Sequence, residues 1–353
     1  MTKRSSPARL PVRCQLVLVG GVLGLGFVWG ASAARAQTAL PPSDDGSIYT
    51  VRVENDTTGN TDEYYSAGQQ VGWTGPTGAV PDFIANAGHA VLGAGDQRLS
   101  IDISQSIFTP SDTQISPPDP NDRPYAATLL LTGQLIQDTE LYRTRVGVQA
   151  GVLGPDAGGD IVQNGFHTLI GDTNNKGWAY QLDNRPEVNF FVDRTYRLPL
   201  LDLVSLPFLN DAPIGIDVLP DVTGFVGTEE IYAQAGATLR IGQGLQDDYG
   251  AARIMPSLDG GDAYNPDSGF AWYAFTGVDG QAVAYNTLLA GNSFSSSGPS
   301  VDTKHVVGEF EAGLAVIWHG VRISATNTWQ SHEFTSQQGG WFDFGSLAVS
   351  ARF

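Results

Sequence analysis

Three stretches of the chain hold the residue types that hydrolysis needs, at spacings a fold could bring together. The first is Asn55-Asp56, followed by Thr61-Asp62 and Tyr65-Ser66, which sets a carboxylate, an amide and a hydroxyl around one reversal of the chain. The second is Asn121-Asp122-Arg123-Pro124-Tyr125-Ala126, where Arg123 could clamp an anionic substrate group. The third opens with Gly154-Pro155-Asp156-Ala157-Gly158-Gly159 and passes into Asp160 to Ile170, with Gln163, Phe166, His167 and Ile170 at i, i+3, i+4 and i+7. That spacing predicts a short helix carrying Gln163 and His167 a turn apart on one face. The chain has no G-x-S-x-G, no H-E-x-x-H and a single cysteine, Cys14, near its start, so the usual nucleophile and zinc signatures are missing. What remains is a histidine able to draw a proton from water, beside carboxyl and amide oxygens suited to a hard cation such as calcium. Such a cation would polarise an ester carbonyl and stabilise the oxyanion. Each stretch also has a plainer reading: Asn-Asp and Thr-Asp form turns, Arg123 can pair with a nearby acid, and a lone histidine can be structural.

The elements that would position these residues follow from composition and periodicity. Charged residues make up 16% of the 353 and glycine numbers 43, a composition poor in charge and rich in glycine for a water-soluble globule. The formal charge of -18 excludes nucleic acid, whose phosphates need a basic surface. Lys3, Arg4, Arg9 and Arg13 precede an apolar run from Leu16 to Val28, and Ala31-Ser32-Ala33 or Ala34-Arg35-Ala36 offers a cleavage site. Residues 1–36 therefore read as a secretory signal peptide, and 37–353 as the exported domain. Loss of the leader removes Cys14 and five basic residues, leaving 14 basic against 37 acidic, a balance of -23 with no disulfide.

Beyond the leader the chain alternates in short segments such as Leu99, Ile101, Ile103 and Leu347, Val349, Ala351, Phe353. Their partner positions, Ser100, Asp102, Ser104 and Ser106 among them, are small or polar, which suits a wet lumen better than a packed sandwich. Trp73, Trp272, Tyr273, Trp318, Trp329 and Trp341 near segment ends suit aromatic girdles, and the chain stops inside a strand on Phe353. Twelve strands are predicted, near 47–55, 64–74, 98–108, 125–137, 141–153, 187–205, 215–226, 231–242, 270–285, 305–318, 320–332 and 341–353. The fold class is thus all-β: a twelve-stranded antiparallel transmembrane barrel of a Gram-negative outer membrane, with one short α-helix in an extracellular loop. Parity places connections 56–63, 109–124 and 154–186 together at the outer end, and predicts Asp56 and Ser66 pointing inward. It also leaves two long connections, 75–97 and 243–268, at the periplasmic end, where short turns are the rule. A soluble sandwich and a passive barrel, either porin or structural protein, are the rival readings.

At these residues the chain resembles the lipid A 3'-O-deacylase family of outer-membrane barrels. Asn55-Asp56 with Tyr65-Ser66-Ala67-Gly68 is similar to one family motif, Asp122-Arg123-Pro124-Tyr125-Ala126 to a second, and Gly154 to Gly159 with Val162-Gln163-Asn164 and His167 to a third. The resemblance implies a calcium-dependent esterase that removes the 3'-linked acyloxyacyl chain of lipid A in the outer leaflet, acting as a monomer at a site between the wall and the loop helix. It implies His167 as the base acting on water, Asp56 as a calcium ligand, and Asn55, Ser66 and Gln163 orienting substrate, water or oxyanion. Ser66 stands where relatives carry threonine. Thr173 occupies the place of an acidic residue after the helix histidine, with Asp172 beside it carried over as a calcium ligand. A basic pair of the second outer loop is absent between Pro110 and Pro117.

Overall fold

Along Ile48–Asn55 (β1), Thr50, Arg52 and Glu54 are buried while Tyr49, Val51 and Val53 are exposed. Polar residues inside and apolar ones outside invert the order of a soluble sheet and match a wall between lipid and a polar interior. The computed structural model describes residues 43–353 except 60, 206–212, 255–259, 266–268 and 292–297, with 204 and 205 as backbone only. The predicted leader, 1–36, lies outside the described residues.

The remaining strands are β2 (Tyr64–Thr74), β3 (Asp96–Thr109), β4 (Ala126–Asp138), β5 (Tyr142–Leu153), β6 (Arg185–Tyr196), β7 (Leu198–Ser205), β8 (Pro213–Gly227), β9 (Glu230–Gln243), β10 (Phe270–Asn286), β11 (Val306–Trp318), β12 (Val321–Gln330) and β13 (Phe342–Arg352). β1 pairs antiparallel with β13, Ile48 opposite Arg352, and β6 pairs with β8, so the sheet closes on itself. β6 and β7 meet β8 in one register, Thr195 opposite Asp221 and Leu198 opposite Val218, so they form one stave interrupted at Arg197. Thirteen segments therefore make the twelve staves expected.

The two long connections at the terminal end have specific destinations. Residues 75–95 carry α1 (Asp82–Leu92), in which Gly88 lies so close to Gln97 and Leu135 that a methyl group there would collide with both. The described residues of 244–269 turn up into the lumen. Arg253 of this connection bonds Glu311 at 2.9 Å and Glu54 at 3.4 Å, while its Asp248 bonds Arg240 at 2.6 Å and Arg322 at 3.4 Å and its Asp262 pairs with Arg52. Tyr249 is sandwiched between the guanidinium groups of Arg143 and Arg197, 4.6 and 4.0 Å from its ring centre. Buried charges persist only when paired, and these pairings fasten the connection to staves all around the ring. A cavity of about 150 Å³ remains in the lumen, lined by Gln70, Asp102, Arg145 and Asp193 among others. Tyr273, expected in a girdle, is instead buried with its hydroxyl donating to Asp248, because its parity turns it inward beside Trp272.

Candidate active site

The helix predicted after the third motif is α2 (Gly159–Ile170), set between Gly158 and Gly171, both in the left-handed region at φ 70° and 79°. Gly159 allows its first turn to sit on the wall: a Cβ there would lie 2.5 Å from Ala127 and 2.7 Å from Trp178. Ala127, Ile107 and Ala157 form an apolar cluster with Tyr125 and Trp178 beneath the helix. Gln163 and His167 face this wall and are buried, whereas Phe166 and Ile170 of the same predicted stripe are exposed.

The polar centre of the site is Asp62, in the connection between β1 and β2. Its carboxylate accepts from Gln163 Nε2 and from Asn175 Nδ2, each at 2.8 Å. The Gln163 amide is oriented by Trp178, whose indole N–H can only donate and reaches Gln163 Oε1 at 3.1 Å. Asn175 is tied to the helix through Asn164, whose side-chain oxygen accepts the Asn175 N–H at 2.8 Å. His167 Nδ1 lies 2.9 Å from the carbonyl oxygen of Thr173. A carbonyl only accepts, so Nδ1 carries the proton and Nε2 presents its lone pair, 3.9 Å from Asp62 Oδ2. At that separation the two atoms are not directly bonded, and one water can bridge them.

Behind Asp62 the first motif forms a connected frame. Asn55 Nδ2 donates to the Ser66 carbonyl at 2.8 Å, the hydroxyls of Ser66 and Thr109 are 2.6 Å apart, and Thr109 donates to the Asp62 carbonyl at 3.4 Å. The inward orientation expected of Ser66 does not hold. A bulge between Tyr65 and Ala67 shifts the alternation, so Tyr65 reaches Glu54 in the lumen while Ser66 joins Thr109 on the outer side. Asp56 starts a short 3₁₀ turn and is buried, accepting from the Glu63 N–H at 2.6 Å and the Thr61 hydroxyl at 3.2 Å. Burial, reinforced by the charge of Asp62, pushes the Asp56 carboxyl up to about 8 against those hydrogen bonds.

Two predicted residues stand elsewhere. Arg123 is buried at the lumen mouth, paired with Glu333 and stacked 4.4 Å over the Phe108 ring. Asp172 is exposed, its carboxylate accepting from the Thr173 N–H at 2.7 Å and its own N–H donating to the His167 carbonyl at 2.8 Å. Sequence reasoning left out Asn175 and Trp178 altogether and gave Asp62 no role. The one available signal for Asp62 was its place in the same reversal as Asn55 and Ser66.

Asp56 and Asp62 supply two mutually repelling carboxylates, and the buried Asn175 Oδ1 has no hydrogen-bond partner. Oxygen ligands and close acidic charge fit calcium. Among the described residues no three His, Cys, Asp or Glu side chains form a metal site by themselves, so amide, main-chain and water oxygens would complete the shell.

Closed staves with a lipid-facing exterior and a loop helix clasped to the outer wall define an outer-membrane β-barrel with its polar site outside the lumen. The model of the outer membrane protein LpxR family matches residues 22–353, and the chain belongs to that family. Its fold is similar to the structure of LpxR from Salmonella typhimurium at 22% identity and TM-score 0.70, covering 87% of this chain and 100% of that one. The β domain of the Bordetella autotransporter BrkA aligns at 10% identity and TM-score 0.39, covering 88% and 100% of the two chains. No curated protein sequence matches the chain.

Proposed function

We propose that the chain is a calcium-dependent ester hydrolase that removes the 3'-linked acyloxyacyl chain of lipid A in the outer leaflet, with His167 as general base. Family membership supports lipid A as the substrate class. The observation that carries the mechanism is the His167 imidazole, held as the Nδ1–H tautomer by the Thr173 carbonyl with its Nε2 lone pair toward Asp62. A water placed between them gives a proton to Nε2 and attacks the ester carbonyl. The ester C–O bond breaks, the proton passes from His167 to the departing alkoxide, and a fatty acid and a free hydroxyl result. Asp62 faces the imidazolium that forms, and Gln163 and Asn175 hold Asp62 in place. Asn55 and Ser66 act one step back, through the Thr109 hydroxyl and the Asp62 main chain. Calcium, held by Asp56, Asp62 and the Asn175 side-chain oxygen, would supply Lewis-acid polarisation of the ester carbonyl. Arg123 serves as a second-motif contact for an anionic headgroup only if its pairing with Glu333 opens.

The test is mass spectrometry of lipid A after expression in a host without such an enzyme. Loss of the 3'-linked chain is expected, abolished by His167→Ala while heat-modifiable mobility is kept, and suppressed by chelator. Retained release in His167→Ala removes the mechanism, and indifference to chelator removes the metal. The porin reading is disfavoured by the occupied lumen.

A further inference from the structure

Helix α2 is amphipathic the wrong way round for a helix in water. Against the barrel it buries Gln163 and His167, and to the outside it presents Leu169 at 81% exposure, Ile161 at 75%, Ile170 at 56% and Phe166 at 52%. At about 100° per residue, Val162, Phe166, Leu169 and Ile170 share one flank of the helix, and Asp160, Asn164 and Thr168 share the other, with Ile161 beside Thr168. Such a division, with a narrow buried stripe between an apolar and a polar flank, is what a helix lying in the plane of a lipid–water boundary requires. Contiguous exposed apolar surface needs an occupant, and the neighbourhood supplies one. The helix packs on β3 and β4, and the outer faces of those staves carry the exposed Ile101, Ile103 and Leu131, so the apolar flank continues into the lipid-facing belt of the barrel. The helix has no Lys or Arg, and its one charged residue, Asp160, lies on the polar flank. Contact through the apolar flank is therefore made with hydrocarbon rather than with headgroup phosphate.

We infer that α2 is embedded in the outer leaflet, with acyl chains covering Val162, Phe166, Leu169 and Ile170 and water covering Asp160, Asn164 and Thr168. The helix is then an interfacial element that sets the depth of the site in the membrane, whichever reaction the site performs. The chain from Gln37 onward lacks cysteine, so Leu169→Cys and Thr168→Cys can each carry one environment-sensitive fluorophore in the full barrel reconstituted in phosphatidylcholine vesicles. Acyl-brominated phosphatidylcholine is expected to quench the label at 169 several-fold more than the label at 168, and aqueous iodide to do the reverse. Both variants lie on the outer face of the helix and leave Gln163 and His167 in place, and native-like heat-modifiable mobility confirms folding. Equal iodide quenching at both positions would overturn the inference in favour of a solvated helix. Protection at 169 that depends on protein concentration and yields cross-linked dimers would overturn it in favour of a second copy.

Discussion

Substitution of Asp62 by Asn tests the site most sharply, because it removes the charge that faces both the imidazolium and the proposed calcium while keeping the shape of the side chain. Asp62 Oδ2 lies 3.9 Å from His167 Nε2, and proton transfer makes that imidazole cationic. Two unit charges about 4 Å apart interact by about 4 kcal/mol at an effective dielectric near 20. The Asp62 side chain is 32% exposed, and halving the figure for solvent screening leaves about 2 kcal/mol, or about 30-fold in turnover. The fold should survive. The carbonyl oxygen of the asparagine can still accept from Asn175 Nδ2, while Gln163 keeps its bond to Trp178. Initial rates of fatty acid release from purified lipopolysaccharide, at saturating calcium, would show the loss in kcat with heat-modifiable mobility unchanged. A rate for Asp62→Asn within threefold of the parent would refute the assignment of Asp62 as the partner of the imidazolium.

Four further outcomes are expected. Asp172→Ala should leave release within about threefold of the parent, as surface substitutions usually do, because its carboxylate is exposed and bonds only the next residue's main chain. Thr173→Val should be equally mild, since the main-chain carbonyl and not the side chain holds His167; a large loss in lipid A mass spectra would show otherwise. In calcium-free protein Asp56, raised to about 8, binds a proton that the unfolded chain releases near ~3.9. The stability due to that proton is complete below the lower value and lost as pH climbs to the upper one. Midpoints of the heat-modifiability transition should therefore fall from pH 6 to 8, and Asp56→Asn should flatten the slope. In planar bilayers the parent should show no conductance steps, and removal of residues 247–264 should produce them.

The barrel was legible because alternation is a local property: β1, β3 and β13 announce themselves by every second residue, and the twelve staves need no knowledge of one another to be counted. Register and loops are another matter. The bulge at Tyr65–Ala67 costs one residue of parity and moves Ser66 to the other side of the wall, and nothing in Tyr-Ser-Ala-Gly marks it. Gln163 and His167 were legible from helical spacing, but Asp62 was obscured because Thr-Asp in a loop reads as a turn. Asn175 and Trp178 lie in an aperiodic return segment whose role depends on contacts more than ten residues away. The part Thr173 plays was hidden for a reason sequence cannot display, since it meets His167 through its main-chain oxygen. The lumenal placement of Asp248 and Arg253 was equally hidden: they look like any polar loop residues until the opposing staves are in place.

The ion pairs inside the barrel also constrain how it can be assembled. The inserted connection leaves the chain between β9 and β10, yet its counter-charges come from β1, β9, β11 and β12, with Arg52 near the beginning and Arg322 near the end. An open sheet would leave several of those charges facing bilayer without a mate. Neutralisation inside and sealing of the β1–β13 seam must therefore happen as a single event, which makes this polar interior a checkpoint that only a finished cylinder can pass.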